Sequence, residues 1–428
     1  MSLNNKKDRD ITVKFDMARP PKKQAWYLKP LAWALCIPEL IARHSKVRKH
    51  GCKGLKPPYL LLCTHAAFLD FKVATKAMFP HGATYVVAID GFIGREGIMR
   101  KVGCIATRKF ISDTTLVKNL KYSIDVLKQT VVVYPEARYS ISGTTAILPP
   151  SLGKLARLLS VPVAVLNTHG HYINSSVWNL KPKKVPVDAD FTVIAGKDEV
   201  RALSAEDINA RIKKAFYYDE FAWQKEKGVL VKDKNRAKGL EKVLYKCPHC
   251  EKEHLMRPEG DVLYCGACKK EYRYNEDGSI SAVEGETEFS RIPDWYEWER
   301  SCVRKEIELG QYRTEDDVDV DSLPNSKGFI AMGKGHFVHD ENGLKVTFKE
   351  NGVDKTFVKT VAENYSCHIE FDYNDKGDCV SFSKGDDTYY FYFRTLKNVI
   401  VKVHFAVEEL FRYKVADFDK TDGGDKNA

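Results

Sequence analysis

Between residues 59 and 200 the chain alternates short apolar runs with helix-like stretches, and this alternation restricts the fold more than any other feature. The runs fall at 59–63, 84–89, 104–107, 130–134, 161–166 and 191–194. Short continuous apolar runs suit strands buried on both faces. Helical patterns lie between them, at 113–128 and 152–160. Together they predict an α/β fold with a mostly parallel sheet. Such sheets bind ligands at the C-terminal ends of their strands, so the polar residues that follow each run are the first functional candidates.

After the run 59–63 come His65 and, five residues on, Asp70. A carboxylate that accepts a hydrogen bond from one imidazole nitrogen fixes the tautomer and leaves the other nitrogen to take a proton from an alcohol. Taken alone, the pair reads by default as a core histidine followed by a helix-capping aspartate. Further along, Gly103 precedes a run that ends at Arg108, and a strand-end arginine can hold a phosphate or carboxylate. The run 130–134 leads into Tyr134-Pro135-Glu136-Ala137-Arg138-Tyr139-Ser140, and Pro162 opens another strand. Four such motifs in this order would gather at one edge of the sheet.

Residues 25–200 resemble the glycerolipid acyltransferase family, which includes the 1-acyl-sn-glycerol-3-phosphate acyltransferases. The resemblance implies that His65 and Asp70 are catalytic, with His65 deprotonating a glycerol hydroxyl that attacks the thioester of acyl-CoA or acyl-carrier protein. It implies that Gly103, Arg108, Glu136 and Arg138 bind the acceptor, a lysophosphatidate or similar lipid. Thr64, Ala67, Ala137 and Ala164 replace the family's usual Asn, Ser, Gly and second proline. The third motif usually reads Phe-Pro-Glu-Gly-Thr-Arg-Ser. Here Tyr134 stands at its Phe, Tyr139 falls in its arginine slot and Arg138 comes one position early. Either can serve that slot. Glu136 also reads as a structural carboxylate bonding turn amides, and Arg108 alone reads equally as a surface ion pair.

Cys247 and Cys250 form one Cys-x2-Cys pair, and Cys265 and Cys268 form a second. Two such pairs at this separation supply four thiolates for a structural Zn²⁺ in a zinc ribbon, with no open position for catalysis. His249 and His254 read as bystanders. The expected organisation is a basic N-terminal arm with an interfacial segment (1–58), an acyltransferase domain (59–225), and a linker and zinc ribbon (226–285). A helix and acidic linker (286–324) then precede a β-rich domain with a closing helix (325–428), weakly like a pleckstrin-homology barrel.

Residues 1–60 hold fourteen Lys and Arg against four acids, as large as the whole chain's net charge of +10. A basic arm points to an anionic surface. The stretch 26–42 carries Trp26, Tyr27 and Trp33 but is broken by Lys29, Pro30, Pro38 and Glu39, so it suits a membrane interface rather than a span. The polar start of the chain and its 11 cysteines, an odd number, suggest a reducing cytoplasmic setting. The expected protein is therefore an O-acyltransferase of phospholipid biosynthesis, peripheral on the inner face of the cell membrane. One alternative is an acyltransferase for another lipid hydroxyl, of a lysophospholipid or an aminolipid. A different class is a zinc-ribbon factor for nucleic acid or protein with an inactive acyltransferase domain. The ribbon's lack of a dense basic face argues against nucleic acid.

Overall fold

The computed structural model describes residues 12–350 and 352–415. Seven strands form the first sheet: β1 (Lys46–His50), β2 (Leu60–Cys63), β3 (Ala83–Ala88), β4 (Cys104–Thr107), β5 (Thr130–Val133), β6 (Val163–His169) and β7 (Asp188–Ala195). Their order is β1-β7-β6-β2-β5-β3-β4. Every neighbouring pair is parallel except β6 and β7. The sheet is therefore mostly parallel, as the alternation of runs and helices predicts.

β2 lies at its centre, and its four residues are fully buried. Leu60 and Leu62 pack on one face with Leu120, Leu159 and Phe216. Leu61 and Cys63 pack on the other with Val73 and Met78. This is the period-two alternation of a strand covered by helices on both sides. On the second face, Leu323, Tyr390 and Tyr392 from the C-terminal region join the same cluster.

The four strands β8 (Met256–Glu259), β9 (Val262–Cys265), β10 (Glu271–Tyr274) and β11 (Ile280–Ala282) form a small antiparallel sheet. The helix Ile292–Glu308 packs against it through Trp295, whose ring lies 4.9 Å from that of Tyr272. The last unit holds β12 (Thr314–Ser322), β13 (Ile330–Asp340), β14 (Gly343–Glu350), β15 (Val353–Lys359), β16 (His368–Glu370), β17 (Cys379–Lys384) and β18 (Asp387–Phe393). These are antiparallel in the order β15-β14-β13-β12-β18-β17-β16, and the helix Ile400–Lys414 follows them.

Three stretches differ from expectation. The arm 1–58 contributes β1 to the first sheet. Its sequence KVRKH has no apolar signature, and Arg48 is held by Asp188 and Asp190 instead. The segment 315–321, expected to be an acidic linker, is the centre of β12. Glu315, Asp317 and Asp319 face solvent while Val318 and Val320 are buried, so the charge density hides an ordinary alternation. Asp316 is satisfied by the amides of Arg394, Thr395 and Leu396. The stretch 226–242, expected to be a linker, buries Val229, Val231, Ala237 and Leu240.

Candidate active site

The end of β2 is tied to β6 before the histidine is reached. Thr64 donates its amide to the Leu166 carbonyl at 3.1 Å, and its hydroxyl lies 3.0 Å from that of Thr168. His65 then leaves the sheet. The chain turns into the helix Leu69–Met78, whose first turn carries Asp70. Asp70 is fully buried, and its Oδ2 accepts from the amides of Ala66 (2.6 Å) and Ala67 (2.9 Å). A carboxylate at a helix N-terminus is favoured by these unpaired amides and by the helix dipole. The same Oδ2 lies 3.1 Å from His65 Nδ1.

The other oxygen, Oδ1, meets Thr168 Oγ1 at 3.2 Å and the Nδ1 of His171, which is itself fully buried. Burial favours the neutral carboxyl, but His171 and His65 outweigh it and hold Asp70 well below the usual carboxylate range. His171 and Thr168 carry no spacing signal in the sequence. They lie about a hundred residues from Asp70, on or just after β6, and only the sheet order β6-β2 brings them to it.

The turn after β5 clamps the histidine. Glu136 accepts from the His65 amide at 3.1 Å, and the Ser140 amide donates to the His65 carbonyl at 2.8 Å. Glu136 also accepts from the Ala146 amide (2.8 Å) and the Tyr218 hydroxyl (3.2 Å). Burial pushes its pKa up to about 7. Ala137 sits at φ 55°, the left-handed region, where the family motif usually has glycine. Tyr134 and Tyr139 pack on the imidazole, each 4.4 Å from it between centroids.

His65 is a quarter exposed and opens on a cavity of about 1410 Å³. Its walls are mainly apolar, with Phe68, Val87, Leu116 and Leu155 from the first unit and Tyr365 and Tyr373 from the last. Of the sequence-predicted residues, His65, Arg108 and Arg138 line this cavity; Asp70, Gly103 and Glu136 lie behind its wall. Gly103, at φ 89°, has the Ala83 carbonyl so close that an added Cβ would lie 2.8 Å from it. Its place is in the backbone between β3 and β4.

Both arginines reach the C-terminal unit. Arg108 is buried and donates to the carbonyls of Leu323 and Pro324, each at 3.0 Å, to the Asp386 carbonyl and to Thr388 Oγ1 at 2.8 Å. Arg138 donates to Ser366 (2.6 Å) and to Glu408 (2.9 Å), which also pairs with Arg300 at 2.6 Å. The family resemblance implies that these guanidiniums hold the acceptor. In the structure the terminal nitrogens of both are engaged by the protein, while Arg108 Nε is buried without a partner among the described residues, and Lys109, 2.8 Å from His368, is a neighbouring cation on the cavity wall.

The four predicted metal ligands come together. The sulfurs of Cys247, Cys250, Cys265 and Cys268 lie within 4.8 Å of one another, with two of the pairs at 3.7 Å. A tetrahedral Zn²⁺ with bonds of about 2.3 Å separates its sulfurs by about 3.8 Å, so the donor set and the spacing fit that ion. Among the described residues no helix is long and apolar enough to cross a membrane. The helix Leu28–Ala42 buries Cys36 and Leu40 but leaves Leu31, Leu35 and Ile41 exposed, next to exposed Trp26 and Tyr27.

No family model and no curated protein matches the chain. Among solved structures it is similar to the 1-acyl-sn-glycerophosphate (LPA) acyltransferase PlsC from Thermotoga maritima. The two are 16% identical with a TM-score of 0.33, over 45% of this chain and 82% of that one.

Proposed function

We propose that this protein is an O-acyltransferase that moves a fatty acyl group from acyl-CoA or acyl-carrier protein to a lipid hydroxyl. The observation that carries this reading is His65. Its Nδ1 faces a buried, ionised carboxylate, and the ring opens on a large apolar cavity. Asp70 holds the tautomer with the proton on Nδ1, which leaves Nε2 to accept the proton of the acceptor hydroxyl. The alcohol oxygen attacks the thioester carbonyl, and the expelled thiolate leaves with that proton. A thioester is already activated, so no covalent enzyme intermediate is required. Positioned base catalysis of this kind is worth roughly 10²–10⁴-fold.

The first acceptor candidate is the free hydroxyl of 1-acyl-sn-glycerol-3-phosphate, with Gly103, Glu136, Arg108 and Arg138 shaping its pocket. A second reading, another lipid hydroxyl without a phosphate monoester, is favoured by the engagement of both arginines with the C-terminal unit. The exposed apolar side of the helix Leu28–Ala42, with the basic arm, suits docking on an anionic membrane at the cytoplasmic face. The four cysteines would hold a structural Zn²⁺ in a ribbon. The strand order and closing helix of the last unit are in keeping with a pleckstrin-homology-type barrel.

The test is transfer from acyl-CoA and acyl-carrier protein to lysophosphatidate, lysophosphatidylcholine and lysophosphatidylethanolamine. His65→Ala should abolish turnover with whichever acceptor is used, and retained transfer refutes the mechanism. Turnover on the two zwitterionic lipids with none on lysophosphatidate selects the second reading.

A further inference from the structure

The cavity beside His65 comes to the surface in two places, and they differ in charge. One is at Phe68, which lines the cavity, is largely exposed and precedes the helix Leu69–Met78. The other lies between the helices Thr114–Asp125 and Leu152–Leu159, where Lys118, Lys154 and Leu158 line the cavity and are themselves exposed.

Beyond residue 60 the chain carries no net charge, yet this second opening is basic. Lys121 and Arg157 stand one turn from Lys118 and Lys154 on the same two helices. The one acid in these helices, Asp125, is paired with Lys121 at 2.7 Å. Asp113, ahead of the first helix, caps it through the Leu116 amide at 2.9 Å. The side chains of Lys118, Lys154 and Arg157 pair with no other described residue. Like charges gathered at a cavity mouth draw in a partner of opposite sign and speed its encounter. Apolar side chains lie among them. Lys118, Tyr122 and Val126 follow at i, i+4 and i+8 and so share one stripe, and Tyr122, Val126 and Leu158 are exposed. A nucleotide would need the charges alone, whereas apolar side chains ringed by polar ones are the pattern of a protein interface.

The position of the opening argues against a lipid surface. Leu120 and Leu159 of these helices pack on the sheet face that carries Leu60 and Leu62. Leu40 of the helix Leu28–Ala42 packs on the other face, with Leu61 and Val73. A bilayer lying along Leu28–Ala42 therefore leaves the basic opening in water.

We propose that the acyl donor is an acidic carrier protein that docks on the helices Thr114–Asp125 and Leu152–Leu159, with its phosphopantetheine arm passing between Lys118 and Lys154 to bring the thioester to His65. The assignment rests on the acyl-transfer reading of His65. The carbon–sulfur bond breaks as the acyl group passes to the acceptor oxygen. The acceptor's proton reaches the sulfur by way of His65, and the free thiol leaves on the arm with its carrier. The opening at Phe68 is left to the acceptor lipid.

The test is a chain with Lys118→Glu and Lys154→Glu together, assayed with palmitoyl-acyl-carrier protein and with palmitoyl-CoA. The ratio of kcat/KM for the carrier to that for the CoA thioester should fall at least about tenfold. Wild-type kcat/KM with the carrier should drop steeply between about 0.02 M and about 0.3 M salt, and the variant should lose most of that slope. Equal losses with both donors, or no loss with the carrier, overturn the assignment. Both side chains lie in solvent, so the thermal midpoint should hold; if it falls, Lys118→Gln with Lys154→Gln carries the same comparison. Fluorescence anisotropy of labelled palmitoyl-acyl-carrier protein reads docking apart from turnover. The carrier should bind His65→Ala as tightly as wild type and the double variant at least about tenfold more weakly. Transfer retained in His65→Ala refutes the base and not the docking. A double variant that binds the carrier like wild type, or that loses binding to phosphatidylglycerol-containing vesicles, overturns the docking and not the base.

Discussion

His169 lies between two carboxylates at the end of β6, next to Thr168 and two residues before His171, the two side chains that hold the second oxygen of Asp70. Its Nε2 is 3.3 Å from Asp190, its Nδ1 is 3.7 Å from Glu220, and its ring stacks on Trp223 at 12°. Burial alone would lower its pKa, but the two carboxylates outweigh that and push it up from 6.5 to about 9. The folded value lies above the unfolded one. The charged ring therefore stabilises the fold fully below pH 6.5, and that contribution disappears as pH rises through 9. At about 1.4 kcal/mol per pH unit, the difference is worth about 3 kcal/mol. His169→Phe keeps a ring on Trp223 and removes the charge. Asp190 remains paired with Arg48 at 2.7 Å, so the substitution leaves no bare carboxylate there. Urea unfolding followed by tryptophan fluorescence should show the variant less stable than wild type at pH 6. The gap should shrink by about 3 kcal/mol at pH 10. A gap that is the same at both pH values refutes the charge argument and leaves only packing.

Three further outcomes are expected. Cys247→Ser should reduce bound zinc, read by atomic emission on the purified protein, to a small fraction of the wild-type content; an unchanged content would sink the tetrathiolate site. Glu408→Gln strands the nearly fully buried guanidinium of Arg138, while Arg300 keeps Glu297 and Glu409, and should destabilise the fold by about 3–5 kcal/mol in the same urea assay. A loss below about 1 kcal/mol would mean that these charges are solvated. Leu35→Glu, on the exposed side of the helix Leu28–Ala42, should weaken sedimentation with phosphatidylglycerol-containing vesicles several-fold without changing the thermal midpoint, whereas unaltered binding would place the membrane contact elsewhere.

The parts of the site that were legible in the sequence are the local ones. His65 and Asp70 are five residues apart, and a strand followed by a helix turn is enough to bring them to 3.1 Å. The cysteine pairs need only two tight turns and one hairpin to converge. Strand β1 was not legible, because a sequence of Lys, Val, Arg, Lys and His has no apolar alternation and is held by the aspartates of its neighbour. β12 was hidden for the opposite reason: its alternation is present, but its exposed face is acidic enough to read as a linker.

Spacing along the chain thus determined the contact of His65 with Asp70 and the four-cysteine cluster, since each is assembled within one turn or one hairpin. Tertiary structure alone decided what surrounds them. It set His171 against Asp70 across 101 residues, turned Arg108 onto Thr388 across 280 and Arg138 onto Glu408 across 270. It also closed the cavity with a unit whose strands lie more than two hundred residues beyond His65. Short-range pattern reports the period of a helix or strand and the chemistry of its turns. The partner of a buried charge is chosen by whichever complementary group the packed faces bring to it, and nothing in the spacing of one segment encodes that choice.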